Sequence, residues 1–195
     1  MSARVRTAIL ISGRGSNMAA LIEAARAPDF PAEIALVVSD RHEAGGLAIA
    51  KRAGIATAAI DPKIYAGRDE FDASMQAMLD IHRIELVCLA GFMRILGGPF
   101  VNRWRGRMIN IHPSLLPAYR GLHTHERALA DRVKEHGCTV HFVEPELDAG
   151  PILLQARVPV FEGDSAEALA ARVLVAEHRI YPQALAEVAG RIAAG

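Results

Sequence analysis

Short apolar runs alternate with amphipathic stretches along the first two thirds of the chain. Thr7–Ser12, Ile34–Val38 and Leu86–Ala90 are apolar almost throughout, Ala56–Ile60 is a weaker run, and Met108–His112 closes the series. Runs this short, with apolar residues on both faces, predict strands of a buried parallel sheet. Between them Asn17–Ala27, Ala44–Ala53 and Glu70–Ile81 read as helices, the last with Phe71, Met75, Met78 and Leu79 at helical spacing. Ser16 stands where an N-cap is expected and Gly54 where a helix closes. After residue 135 the rhythm changes. Thr139–Val143 and Pro151–Val160 read as strands with only residues 144–150 between them. That is too short for a parallel crossover, so an antiparallel hairpin is predicted. Asp164 or Ser165 then caps a long Ala-rich helical stretch to the C-terminus, with a break expected near Pro182.

This order of elements predicts an α/β fold: a mostly parallel, twisted sheet with right-handed crossovers and helices on both faces, then an antiparallel C-terminal hairpin and a long last helix. No linker, repeat or low-complexity segment divides the chain, so residues 1–195 are expected to form a single domain.

Composition narrows the function. The 195 residues are 51% hydrophobic and 23% charged, ordinary globular values that exclude a wholly disordered chain. Lys plus Arg equals Asp plus Glu at 22 each. A neutral chain has no overall attraction for nucleic acid or anionic membrane, which leaves small molecules as the expected partners. Cys88 and Cys138 are too few and too far apart for a disulfide framework or a paired-cysteine zinc site, which suits the reducing cytoplasm. Cys88 falls inside a strand and reads as a buried core thiol. Ala8–Ile11 is too short for a secretory core or a membrane span.

Ser12-Gly-Arg-Gly-Ser-Asn17 joins the first strand to the first helix. In an open parallel sheet, ligands sit at the carboxyl ends of strands, and free N–H groups at a helix start favour an anion such as phosphate. The loop lacks the lysine of a Walker A motif. It also carries Met18 where a dinucleotide fingerprint has its third small residue, so a nicotinamide cofactor is disfavoured even though Asp40 ends the second strand. A ligand-free glycine turn is the bland alternative.

Asn110 and His112 lie two apart on a strand, so both point to one face. Interior Asn and His are costly without partners, and Pro113 ends the strand beside them, so they read as a site near the glycine loop. Asp148 stands in the turn Glu144–Pro151. It either makes that turn or reaches a histidine and holds its ring as imidazolium. Five of the eight histidines fall between 112 and 141, but His123-x-His125 is the only close pair. Neither a His-Glu-x-x-His nor a Cys-x-x-Cys supports it, so no metal is expected. His123 and His125 are instead expected to cap or orient the following helix.

Four motifs occur here in an order known elsewhere: Ser12-Gly-Arg-Gly-Ser-Asn17, Asn110-Ile-His-Pro-Ser-Leu-Leu-Pro117, Gly121-Leu-His-Thr-His125 and Asp148-Ala-Gly-Pro-Ile152. Over nearly its whole length the chain resembles the folate-dependent formyltransferases, and among them the glycinamide ribonucleotide transformylases. The resemblance implies formyl transfer from 10-formyltetrahydrofolate, a co-substrate, to the amine of glycinamide ribonucleotide in purine synthesis. It implies that Gly15, Ser16 and Asn17 cradle the ribonucleotide phosphate and that Glu177 holds the ribonucleotide. It gives Met93, Arg94, Ile95 and Leu96, with Arg68 and Asn110, to the folate site, and Asn110, His112 and Asp148 to catalysis. The ribonucleotide half then covers about 1–100 and the folate and catalytic half about 101–195. Arg14 stands where other members vary and receives no role. Monomer and homodimer both remain open. The chemistry needs donors for the oxyanion of a tetrahedral intermediate, and Asn110 N–H₂ and protonated His112 are the available ones.

Three rivals stand beside this reading. Formyltetrahydrofolate deformylase would use water in place of the amine and normally carries an N-terminal regulatory domain. Methionyl-tRNA formyltransferase has an added C-terminal domain and a basic surface. A non-catalytic nucleotide-binding module accounts for Gly13–Asn17 but leaves Asn110, His112 and Asp148 without a task.

Overall fold

The computed structural model describes residues 4–195. Seven strands form one sheet: β1 (Val5–Ile11), β2 (Ala32–Ser39), β3 (Ala56–Ala59), β4 (Leu86–Leu89), β5 (Met108–His112), β6 (Glu135–Phe142) and β7 (Ile152–Pro159). Their spatial order is β3-β2-β1-β4-β5-β6-β7. The pairs from β3 to β5 are parallel, and β5–β6 and β6–β7 are antiparallel. The α/β architecture expected from the alternation is therefore present, with the antiparallel hairpin at its end.

Side chains of successive strand residues leave the sheet on opposite faces, and both faces are covered. Ile9, Ile11, Cys88 and Ile109 pack with Met18 and Leu21 of α1 (Ser16–Ala24), Leu47 of α2 (Gly45–Arg52) and Tyr181 and Leu185 of α6 (Ala166–Ala194). Ala8, Leu10, Val87 and Met108 face the other way, onto Phe71 and Met75 of α3 (Arg68–Ile81) and Phe100 of α4 (Gly98–Arg103). Cys88 and Cys138 are fully buried, and burial pushes both thiols up to about 12.

Several boundaries differ from expectation for local reasons. α1 starts at Ser16 itself, because Gly15, in a left-handed conformation, occupies the cap position. β6 begins at Glu135, four positions early, and the hairpin connection spans 143–151. Ser165 caps α6, its hydroxyl accepting from the Ala168 N–H. The break expected near Pro182 is absent: α6 continues to Ala194. A helix-interior proline costs about 3 kcal/mol. Here Tyr181, Ala184, Leu185 and Val188 are all buried around it, and that packing holds both halves in line.

The chain leaves β1 toward β2 and β3, then returns to β4 on β1's other side. Such a reversal opens a crevice beyond the carboxyl ends of the strands. Here it lies between β1 and β4, where the Ser12–Asn17 and Gly91–Leu96 loops emerge.

Candidate active site

Two adjoining cavities lie along this carboxyl edge. The smaller, about 310 Å³, is lined by Ser12–Asn17, Arg41, Ala90, Gly91 and Met93. Its floor is the start of α1. Gly15 has φ 75°, and a Cβ on it would stand 2.8 Å from the Gly46 Cα. Only glycine combines that conformation with that approach. The Gly46 N–H donates to the Gly13 carbonyl, which locks the loop onto α2. No side chain caps α1, so its first N–H groups are left for a ligand.

Asn17 Nδ2 donates to Glu177 Oε2 at 2.7 Å, while Asn17 Oδ1 is buried without a partner among the described residues. Glu177 does not line the cavity and reaches the loop through Asn17. Burial pushes its carboxyl up, and the Asn17 bond only partly offsets this. Asp40 is buried at the end of β2 and also stays outside the cavity wall.

The larger cavity, about 620 Å³, has apolar walls and one polar end. Met93, Arg94, Ile95 and Leu96 form one wall. Leu96 is buried, whereas Met93 and Ile95 are 62% and 67% exposed and available to a ligand. Arg94 lies over the Phe71 ring. Arg68 does not line the cavity. It sits behind this wall, where it and Arg94 bias the buried Asp72 toward the charged form. Burial outweighs them and pushes the Asp72 carboxyl up. Asp72 Oδ2 accepts the Gly97 N–H at 2.7 Å. Gly91 and Met93 line both cavities, and the Ser12 hydroxyl accepts the Met93 N–H at 2.8 Å, so the Ser12–Asn17 and Gly91–Leu96 loops are joined where the cavities meet.

The polar end brings together Asn110, His112 and Asp148, all in the larger cavity's wall. His112 Nε2 donates to the Tyr119 carbonyl at 2.9 Å, and its Nδ1 faces Asp148 Oδ2 at 3.4 Å. Asp148 Oδ2 also accepts the Gly121 N–H at 2.9 Å. Asp148 has φ 50°, a left-handed conformation that Asp tolerates better than most residues. That turn aims its carboxylate back at β5 from the β6–β7 connection. Both imidazole nitrogens thus face acceptor oxygens, Nε2 in a hydrogen bond and Nδ1 at ion-pair distance.

A fourth polar residue belongs to this group. His141 is paired opposite Asn110 in the β5–β6 register, with Asn110 Nδ2 3.2 Å from its Nε2. Sequence reasoning counted His141 only among the clustered histidines. The signal was its place on a strand with Thr139, but its pairing with Asn110 depends on register.

His123 and His125 behave differently from expectation. His123 occupies the cap position of α5 (Thr124–Ala130) through its backbone, φ 58°, but its side chain makes no cap bond and is exposed. His125 turns inward, its ring edge-on to His136 with centroids 5.2 Å apart. Burial lowers the pKa of both, His136 to about 4. Among the described residues no cluster of His, Cys, Asp or Glu is arranged to hold a metal ion. Among the described residues no helix is long and apolar enough to cross a membrane.

The formyl transferase family model matches residues 5–185. The chain belongs to the formyl transferase family. A phosphoribosylglycinamide formyltransferase from Escherichia coli is 48% identical over 174 residues, covering 89% of this chain and 82% of that one. The human trifunctional purine biosynthetic protein adenosine-3 is 52% identical over 186 residues, 95% of this formyl transferase and 18% of the human protein. The chain thus spans 14–18% of the length of its trifunctional relatives. The crystal structure of phosphoribosylglycinamide formyltransferase from Brucella melitensis superimposes with a TM-score of 0.92 at 55% identity, covering 99% of this chain and 97% of that one.

Proposed function

We propose that this formyl transferase moves the formyl group of 10-formyltetrahydrofolate to the primary amine of glycinamide ribonucleotide, as a step of purine synthesis. One observation carries the reading most: the two cavities share Gly91 and Met93, and Asn110, His112 and Asp148 gather at the polar end of the larger one. In this reading the ribonucleotide phosphate rests on the N–H groups of Gly15, Ser16 and Asn17, with Glu177 bracing Asn17. The folate lies in the larger cavity against Met93–Leu96, with its formyl group toward Asn110. Arg94 supplies positive charge on that wall, and Arg68 adds its own from behind it. Relatives carrying phosphoribosylglycinamide formyltransferase in their names support the choice of substrates.

The amine attacks the formyl carbon, a C–N bond forms, and the carbonyl electrons move onto oxygen. Asn110 donates an N–H to that oxyanion. His112 exchanges the Tyr119 carbonyl for it and donates the second bond, while Asp148 holds the opposite ring nitrogen. Collapse breaks the bond from the formyl carbon to the folate nitrogen. The proton lost by the amine ends on that nitrogen, carried by His112 and Asp148 or by water between them. No covalent enzyme intermediate is needed.

The test is amine dependence. Pure protein with formyl-folate should release tetrahydrofolate only when glycinamide ribonucleotide is present. Equal release without the ribonucleotide would make the protein a hydrolase and refute the transfer.

A further inference from the structure

An asparagine amide has a donor end and an acceptor end, and something must decide which faces an oxyanion. The answer lies on β6. His141 Nδ1 is 2.8 Å from the Phe142 carbonyl oxygen, which can only accept, so Nδ1 carries the ring proton. The His141 side chain is 3% exposed, and burial disfavours a second proton on the ring. Two other titratable groups face it, Asp148 from the β6–β7 connection and His112 from β5. The Asp148 carboxylate would favour a charged ring and His112 a neutral one, but both weigh less than burial. Asp148 Oδ1, 3.7 Å from Nε2, is beyond hydrogen-bond reach. His141 Nε2 is therefore a bare acceptor, and the group that faces it is the Asn110 amide nitrogen at 3.2 Å.

We propose that His141 is a positioning residue for formyl transfer: its Nε2 takes one amide hydrogen of Asn110 and so fixes which end of that amide meets the developing oxyanion. The proposal rests on the transfer reading given above. With one N–H held by His141, the second is left for the oxyanion and the amide carbonyl for the attacking amine. Turned over, the amide would present oxygen where its N–H had been, and an oxyanion there would be repelled. Asn110 has no other side-chain hydrogen bond among the described residues, so a ring that accepts supplies the discrimination.

Two measurements test this. Long-range ¹H–¹⁵N spectra of ¹⁵N-labelled wild-type protein at neutral pH should show His141 protonated at Nδ1 alone, with Nε2 bare. An Nε2–H tautomer or an imidazolium would overturn the proposal. In steady-state kinetics, His141→Leu removes the acceptor and should lower kcat roughly 10- to 100-fold, since a misdirected donor is a partly lost one. Both KM values should stay within about twofold. His141→Gln, whose amide oxygen can accept from Asn110, should recover most of that kcat. A Leu variant with wild-type kcat, or a Gln variant no better than Leu, would refute it. The spectra do not depend on the reaction. Release of folate without the amine would therefore remove the transfer reading and leave the tautomer assignment to be judged separately.

Discussion

Replacing Gly15 with alanine perturbs the phosphate loop at one atom. The left-handed conformation, φ 75°, costs a non-glycine residue about 1–2 kcal/mol. The new Cβ would also stand 2.8 Å from the Gly46 Cα and 3.0 Å from the Met18 Cε. The methionine can move. The Gly46 backbone is fixed by its bond to the Gly13 carbonyl, so loop and α2 must part, an overpacking cost of about 1–3 kcal/mol. The sum, about 2–4 kcal/mol with partial relaxation, should lower Tm by roughly 5–15 °C in a chain of this size. The same parting tilts the first N–H groups of α1 away from the phosphate. Loss of a helix-terminus anion contact, up to about 2 kcal/mol, should raise the ribonucleotide KM by up to about thirtyfold. Gly13→Ala is the control: a Cβ there meets nothing within 4 Å and its φ is not left-handed, so Tm should hold or rise slightly. Thermal melts followed by circular dichroism, with initial rates varied in each substrate, read both effects. A Gly15→Ala protein with wild-type Tm and ribonucleotide KM would refute the argument. A rise in the formyl-folate KM alone would mean that the two ligands had been exchanged.

Two further outcomes follow from buried titratable groups. Asp72→Ala leaves the Gly97 N–H without its acceptor and frees the Met93–Leu96 wall, so the formyl-folate KM should rise about tenfold while the ribonucleotide KM holds; Asp72→Asn, which keeps an acceptor oxygen, should restore it, and equal effects of both variants would refute the clamp. His136, 1% exposed, titrates at about 4 against about 6.5 unfolded; the unfolded chain binds the proton first as pH falls, so up to about 3 kcal/mol of stability present above pH 7 is lost between roughly pH 6.5 and 4, with His125 and His141 adding and the raised Glu177 carboxyl opposing. Urea midpoints at pH 7.5 and 4.5 check this, and an unchanged midpoint difference in His136→Gln would remove His136 as the cause.

What could be read from the residues divides by the range of the interaction. Strand and helix placement follows from apolar spacing over a few residues, and the order of elements then leaves few topologies, so the parallel sheet and its terminal hairpin were legible. Asn110 and His112 were legible as a pair because a two-residue spacing on a strand guarantees a shared face. Ser16 was misplaced by one position because cap preference is statistical, while the left-handed turn at Gly15 depends on how closely α2 approaches. Pro182 was given too much weight because its cost is local and its compensation, the burial of α6 against the sheet, is not.

His141 shows the limit most clearly. Strand assignment places it on β6, but its meaning comes from pairing across β5–β6, where Asn110 opposes His141 and His112 opposes Thr139. A shift of one residue would put Val140 opposite Asn110 and turn the imidazole to the other face. Register is set by packing along the entire β5–β7 ribbon, including the shift between Val140 and His141, where β7 carries one extra residue, Leu153. A bulge changes the aim of a side chain without changing the apolar pattern that announces the strand. The same holds for Asp148, which reaches His112 only through the left-handed turn at its own α-carbon. Residue types announced the chemistry of this site, but the contacts that orient its donors arise from register and turn geometry, to which composition and spacing are blind.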